Sequence, residues 1–522
     1  MPKLFVDNRQ VEVDKGATIL EAARKLGIEI PTMCFLKGYE PSTSCMVCVV
    51  KVEGMASLMP ACGTPAAEGM RVQSDCDQVR QARKAALELL LSDHLGDCLG
   101  PCNVICPAQM NIPLMIRQIR SGSLRDAIVT VKRDIALPAV LGRICPAPCE
   151  RGCRRAAVDE FGEAVSICLL KRYVADVDLQ SGKPYLPACE PSLNKRAAIV
   201  GAGPAGLAAA YYLQQAGVAC TVFDDHEKPG GMLQYGVPEN ELPRDVLDRE
   251  IAVIERLGVK FQCQTKIGET LSLEDLRKDF DAVFVATGAE AKPMGLKTGP
   301  NGIATNGQTY QTDVPGVFAG GDAVRKRRLT VRAVADGKEA AVSICQYLAG
   351  QTVTGPAEEF NTRIGKVRDD EKQAFAACGD KGRRVTPAGR NSFTDEQARL
   401  EAARCLHCDC RKAENCRLRQ CSQEYDARPT RYKGERRSFE QRVQHPQVIY
   451  EPGKCIDCGL CIQIAAAAAE ELGLAFVGRG FDVRVEVPFG HSLDEGLKRC
   501  AAQCVAACPT GALAMPDVRP KK

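Results

Sequence analysis

Cys34, Cys45, Cys48 and Cys62 follow a C-x10-C-x2-C-x13-C spacing. Four soft thiolates in so short a stretch can hold an iron–sulfur cluster or a zinc ion. They form the first of four groups drawn from 28 cysteines in 522 residues. HLGDCLGPCNVICP, RICPAPCERGC and VSICLLK make the second, with His94, Cys98, Cys102, Cys106, Cys145, Cys149, Cys153 and Cys168. RCLHCDCRKAENCRLRQC makes the third, with Cys405, Cys408, Cys410, Cys416 and Cys421. EPGKCIDCGLC and CVAACPTGAL make the fourth, with Cys455, Cys458, Cys461 and Cys508. A secreted disulfide framework fits poorly, because such frameworks belong to small exported domains and MPKLFVDNRQ has no charged-then-apolar export pattern. The expected setting is the cytoplasm, where clustered thiols are metal ligands.

The elements around these groups differ. KLFVDN and QVEVDKG alternate as two strands of a hairpin, and ATILEAARKLG has the period of an amphipathic helix. AAIVGAGPAGLAAAYYLQQAGVACTVFDD reads as strand, glycine-rich turn, helix and strand. There Gly201 permits the turn, Gly203 admits a pyrophosphate, and Gly206 lets helix and strand pack closely. Asp224, ending the second strand, is placed to accept ribose hydroxyls. The segment 351–396 is polar and charged, and ARPTRYKGERRSFEQR is strongly basic, either a solvated linker or a docking surface for a partner. With 69 basic and 65 acidic residues the net charge is only +4, too little to point to nucleic acid, and no apolar run is long enough to span a bilayer.

The N-terminal module resembles the [2Fe–2S] domain of the large iron–sulfur subunit of respiratory NADH dehydrogenase and of related hydrogenases and formate dehydrogenases. That resemblance implies a β-grasp fold with Cys34, Cys45, Cys48 and Cys62 as ligands. Residues 94–168 resemble the helical domain of the glutamate synthase small subunit, which holds two [4Fe–4S] clusters on interleaved ligands. The resemblance implies one cluster on Cys98, Cys102 and Cys153 and another on Cys106, Cys145 and Cys149. For the fourth ligands, His94 precedes Cys98 with an H-x3-C spacing known from the His-ligated cluster of the NADH dehydrogenase subunit, or is a surface histidine. Cys168 is the chosen ligand of the other cluster, with a buried structural cysteine as the alternative; the relatives have Gln or Glu where Lys171 stands. KPGGMLQYGVP, VFVATGA and GVFAGGDA then follow in the order of the glutamate synthase-like flavoproteins. Carried over, Gly231, Gly288, Gly321, Asp322 and the helix start at Val331 would contact FAD.

In those relatives a second dinucleotide domain, which binds NAD(P)H, lies between ATGA and GVFAGGD. Here Gly288 and Gly320 are 32 residues apart, too few for a further domain, and AEAKPMGLKTGPNGIATNGQTYQTDVP carries no second glycine fingerprint. The third cysteine group suits another [4Fe–4S] cluster on Cys405, Cys408, Cys410 and Cys416, or zinc. Cys455, Cys458, Cys461 and Cys508 match one cluster of a bacterial-type ferredoxin, while Ala465 replaces the remote ligand of the second and Cys500 and Cys504 are out of register.

The expected fold is multidomain, α+β and α/β. It comprises a β-grasp [2Fe–2S] domain (1–77), a helical double-cluster domain (78–190), a Rossmann-like FAD domain (191–350), a linker with a Cys-rich segment (351–445) and a ferredoxin-like domain (446–522). The expected cofactors are FAD, one [2Fe–2S] and three to four [4Fe–4S] clusters. The expected function is an electron-transfer oxidoreductase subunit serving a formate dehydrogenase-like or hydrogenase-like catalytic subunit, with ferredoxin or an NAD(P)H-binding subunit as further partners. The competing reading is a free-standing NAD(P)H-dependent reductase.

Overall fold

The computed structural model describes residues 1–289, 294–326, 328–387, 392–432 and 434–516. They divide into two compact units. Unit one comprises Met1–Leu99, Glu359–Cys378 and the described residues from His407 onward; unit two comprises Gly100–Glu358 and 379–406.

Unit one opens with the hairpin β1 (Lys3–Val6) and β2 (Arg9–Glu12), whose alternation turns Leu4, Val6 and Val11 inward. A helix at Ile19–Lys25 begins with a capping box. Thr18 Oγ1 accepts from the Glu21 amide at 3.3 Å, and the Glu21 carboxylate accepts from the Thr18 amide at 2.8 Å. With β3 (Val49–Val52), β4 (Met59–Pro60) and β5 (Arg71–Gln73) the sheet runs β2-β1-β5-β3-β4, β1 and β5 being parallel as in a β-grasp. The helix Asp77–Ser92 follows. From it the buried Arg83 donates to Val49 O and Ser74 O at 2.9 Å each and to the Tyr425 hydroxyl at 2.8 Å, tying the sheet to the Cys-rich segment.

Unit two starts with helices, among them Pro101–Ile105, Pro138–Ile144, Pro148–Arg151 and Ile167–Gln180. Its sheet is parallel: β6 (Arg196–Val200), β7 (Ala219–Phe223), β8 (Lys260–Gln262) and β9 (Ala282–Val285) join β12 (Val317–Ala319) in the order β12-β9-β6-β7-β8. Between β9 and β12 the described residues form only the two-residue strands β10 (Thr298–Gly299) and β11 (Gly302–Ile303), paired as a hairpin. The helices Pro204–Gln215 and Thr330–Leu348 pack closely, since a Cβ on Gly337 would stand 2.2 Å from Ala205 O.

The chain ends in unit one. β13 (Arg442–His445), β14 (Val448–Tyr450) and β17 (Leu513–Ala514) form a three-stranded antiparallel sheet, beside a hairpin of β15 (Ala475–Val477) and β16 (Arg484–Glu486). Helices Leu460–Ala467 and Ala501–Ala507 complete a ferredoxin-like module. The segment 351–396, read as a polar linker, packs against the basic run: Glu371 is fully buried, Arg436 pairs with it, and Phe375 stacks on Phe439 at 3.7 Å. In the basic run, Arg437 pairs with Asp93 at 2.6 Å and Arg442 with Glu440 and Glu486 at 2.6 and 3.0 Å. Those charges are satisfied within the chain, which weakens the docking-surface reading. No described helix is long and apolar enough to cross a membrane.

Candidate redox sites: thiol sets and a glycine cradle

The β-grasp loop brings its four thiols together: Cys34 Sγ lies 3.3 Å from Cys45 Sγ, and Cys48 Sγ 3.3 Å from Cys62 Sγ. All four are buried. Hydrogen bonds from Cys45 and Cys62 push the Cys34 thiol far down, and the same bond, with burial, pushes Cys45 up. Four buried sulfurs gathered this closely are a donor set for a metal cluster.

Unit two holds a second set. Cys145 precedes the helix Pro148–Arg151 and Cys149 lies within it, and Cys168 lies in the first turn of the helix Ile167–Gln180. A hydrogen bond from Cys168 lowers Cys145 to about 6. Helices Pro138–Ile144 and Ile167–Gln180 pack closely here, because a Cβ on Gly142 would meet Arg172 Cα at 2.7 Å. Lys171, only 5% exposed, sits among Cys168, Cys145, Cys149 and Cys106. Burial works to lower its pKa, but the charges of these four thiols outweigh it and raise it.

The remaining thiols are gathered differently from their sequence groups. Cys405 lies in the core that contains Cys106 and Cys149 and against which Cys102, Cys145 and Cys153 pack. Arg155 Nη1 donates to Arg404 O at 2.8 Å, and the backbone of Arg155 also hydrogen-bonds the Cys153 thiol, so Cys405 follows directly on the loop around Cys153. Cys98 belongs to unit one, where the Cys410 amide donates to its carbonyl at 3.3 Å. Burial raises Cys416 to about 12, and the next largest cause is the charge of Cys410. His94 Nδ1 is buried without a hydrogen-bond partner among the described residues, and burial followed by the Lys454 charge lowers the ring to about 4. Cys421 is buried in the core with Leu87, Leu91 and Cys416.

In the ferredoxin-like module Cys455, Cys458, Cys461 and Cys508 line one apolar cavity with Tyr450, Leu474, Val485 and Leu493. Lys412 Nζ donates to Cys508 O at 2.6 Å. Cys500 and Cys504 point instead into the core beside Ala465, their sulfurs 3.8 Å apart. The Cys34 charge reaches Cys458, and Cys34, Cys45, Cys416 and Cys458 share one buried core.

One backbone device escaped the sequence reading. Ala147, His407 and Asp457, each two residues after the first cysteine of a loop, have φ of 49°, 50° and 49°, and Met46 inside the first loop has φ 53°. Non-glycine residues in this region carry a cost of about 1–2 kcal/mol each.

The glycine cradle lies at the carboxyl ends of β6 and β9, where the strand order reverses. Gly201 has φ +106°, and a Cβ there would meet Ala286 O at 2.5 Å. A Cβ on Gly206 would stand 1.9 Å from Gly201 O, and one on Gly231 2.9 Å from Gly203 Cα. Gly203 and Gly288 face open space, with nothing within 4 Å of an added Cβ. Beside them Thr287 Oγ1 and Gln234 Oε1 are buried without partners among the described residues. Open glycines, a helix N-terminus at Pro204 and buried idle polar atoms fit a bound dinucleotide. Asp224 is already engaged: its carboxylate accepts from the Ala202 amide at 2.6 Å and the His226 amide at 2.9 Å, so it first of all holds the glycine turn. The Gly321 amide donates to the buried Asp336 at 3.1 Å, Asp322 accepts from the Arg328 amide at 3.2 Å, and Val331 is buried in the helix that follows.

Comparison with known proteins follows this division. Residues 2–76 match the 2Fe-2S iron-sulfur cluster binding domain, and 94–183 match dihydropyrimidine dehydrogenase domain II, 4Fe-4S cluster. Residues 199–256 match an NAD(P)-binding Rossmann-like domain, and 237–337 a pyridine nucleotide-disulphide oxidoreductase. The chain is similar to NADPH-Fe(3+) oxidoreductase subunit beta of Geobacter sulfurreducens, 42% identical over 203 residues, or 38% of this chain and 30% of the relative. It is similar to NADP(+)-dependent formate dehydrogenase subunit beta of Moorella thermoacetica, 37% identical over 239 residues, or 42% and 32% of the two chains. It is also similar to NAD-dependent dihydropyrimidine dehydrogenase subunit PreT of Escherichia coli K12, 40% identical over 210 residues, or 39% and 50%. The chain thus spans about a third to a half of the length of these relatives. It contains 2Fe–2S, 4Fe–4S and Rossmann-like redox domains of oxidoreductase type.

Proposed function

We propose that the chain is an electron-transfer subunit, carrying electrons through FAD and iron–sulfur clusters to or from a separate catalytic subunit. The observation that carries this reading is the adjacency of Cys34 and Cys458 in one core, although they belong to different thiol sets. Independent structural zinc sites have no need of such proximity, whereas a relay does.

Cys34, Cys45, Cys48 and Cys62 would hold the [2Fe–2S] cluster. Cys106, Cys145, Cys149 and Cys168 would hold one [4Fe–4S] cluster, and Cys455, Cys458, Cys461 and Cys508 another. Cys102, Cys153 and Cys405 supply thiols for a further site. The cradle of Gly201, Gly203, Gly206, Gly231, Gly288 and Gly321, with Asp322 and Val331, would hold FAD. A bound flavin supplies the exchange between two-electron and one-electron chemistry. The short β9–β12 connection argues that this chain offers no nucleotide domain of its own to present NAD(P)H. A formate dehydrogenase-like partner is favoured by the similarity to a formate dehydrogenase beta subunit. A free-standing NAD(P)H-dependent reductase is the second reading, favoured by the match of 199–256 to an NAD(P)-binding domain.

Anaerobic metal and flavin analysis tests the proposal. We expect about 18 irons and one flavin per chain, from one two-iron and four four-iron clusters. In the dithionite-reduced protein the spectra of the Cys34 and Cys458 clusters should be broadened by each other. Zinc in place of iron at these sites would end the relay reading.

A further inference from the structure

Leu99 is the last residue of unit one before the chain first enters unit two, and His407 is the first after its last return, with Glu359–Cys378 of unit one in between. Cys98 stands immediately before the first crossing and Cys410 shortly after the last. The fold nonetheless joins them: the Cys410 amide donates to Cys98 O at 3.3 Å. Cys98, Cys410 and Cys416 are all buried, at 7%, 8% and 5% exposure. Each of Cys410 and Cys416 feels the charge of Cys98, and Cys416 also that of Cys410.

The surroundings are shaped to hold these thiols. Cys416 caps the start of the helix Arg417–Glu424, where the helix dipole favours a thiolate. Cys410 Sγ is pressed against Gly511, leaving no room for a side chain there, since a Cβ on Gly511 would fall 2.3 Å from it. The stem of Lys454 lies across Gly96, and its ammonium pairs with Glu451 and feels the Cys410 charge. His94 stands against the same Lys454, fixed by the next residue, whose amide donates to Gly453 O at 2.6 Å. Its Nδ1 is a buried ligand atom without a hydrogen-bond partner among the described residues.

We propose that Cys98, Cys410 and Cys416, completed by Nδ1 of His94, hold one [4Fe–4S] cluster, whose ligand sequence is interrupted by the whole of unit two. On one flank His94 keeps its H-x3-C spacing to Cys98, and on the other Cys410 and Cys416 are separated by five residues. Three thiolates and an imidazole leave the cluster one negative charge fewer than four thiolates do, which makes it easier to reduce. Cys405 is left to the Cys153 neighbourhood of unit two.

The assignment rests on the iron–sulfur reading above, and the test separates the two. Full-length Cys98→Ser, Cys410→Ser, Cys416→Ser, Cys102→Ser and Cys405→Ser variants are purified anaerobically and analysed for iron, zinc and flavin and by EPR after dithionite reduction. We expect the first three to lose the same EPR signal and about four irons, with flavin retained as proof of folding. Cys102→Ser and Cys405→Ser should lose a different signal together. His94→Cys should keep the iron count and move the same signal to a more negative potential. Loss of one signal by Cys98→Ser and Cys102→Ser, with another lost by Cys410→Ser, would overturn the assignment while leaving the relay intact. A variant without flavin is scored by its remaining EPR signals, and persistence of the signal missing from its two partners counts against the shared site. Loss of one zinc rather than iron from the first three variants would also overturn it, and zinc throughout would remove the relay reading itself.

Discussion

The four thiols of the β-grasp loop in unit one and the four around Lys171 in unit two offer the same ligand count in opposite electrostatic settings. The first set is polarised by its own sulfurs and by burial. The second encloses a buried ammonium that the thiols themselves keep charged. A cluster surrounded only by its own negative charge resists taking up an electron, and one beside a fixed cation accepts it more readily. Unit two also holds the glycine cradle, so the more easily reduced thiol set shares a unit with the candidate flavin site. On the proposed reading the difference teaches that the two units would divide the work: unit one would relay single electrons, and unit two would combine relay with the two-electron site.

The largest break in this comparison comes from the glycine turn. Gly206→Ala drives a Cβ into Gly201 O and should destabilise unit two by about 3 kcal/mol, with loss of flavin, while the EPR signal of the Cys34 cluster survives. Gly203→Ala sharpens the point. Its φ of −74° suits any residue and the added Cβ meets no protein atom. Folding stability should stay within about 1 kcal/mol, but flavin affinity, read by equilibrium dialysis, should fall at least about tenfold. Unchanged flavin affinity would mean that the open space at Gly203 is not the pyrophosphate site.

A smaller effect is expected at Lys171. Lys171→Met removes the ammonium and should move the potential of the unit-two cluster to a more negative value by an energy on the order of 2 kcal/mol. Lys171→Arg should retain most of the wild-type potential, and the Cys34 cluster should not respond to either change. An EPR-monitored redox titration reads all three. Equal shifts of both clusters would erase the contrast between the sites.

Much of this was legible in the sequence wherever chemistry is local. The glycine fingerprint, the alternating hairpin at β1 and β2, and the C-x10-C-x2-C-x13-C loop each compress their geometry into one continuous stretch. The short hairpin between β9 and β12 fits the sequence too, because the 32 residues from Gly288 to Gly320 are too few for another nucleotide unit. What escaped was set by chain closure. Spacing grouped Cys98 with Cys102 and Cys405 with Cys410, but the fold joins Cys98 to Cys410 and leaves Cys405 beside the Cys153 loop. The second role of Asp224 also escaped, since beside its expected ribose contact its carboxylate accepts from the Ala202 and His226 amides. The charged stretch around Glu371 read as a linker because its partner Arg436 lies far along the chain. The left-handed Ala147 carries no sequence signal, and His407 and Asp457 carry only a weak one.

The central claim is a flavin relay without its own nicotinamide-binding domain, and anaerobic stopped-flow mixing of the purified chain with NADPH tests it most directly. Holding a nicotinamide against the flavin requires binding energy from the rest of the dinucleotide, and the hairpin of β10 and β11 offers no fold to supply it. The account predicts that NADPH leaves the flavin absorbance unchanged on the timescale of seconds, while dithionite bleaches flavin and clusters together. Rapid bleaching by NADPH alone would contradict it and make the chain a self-sufficient NADPH-dependent reductase.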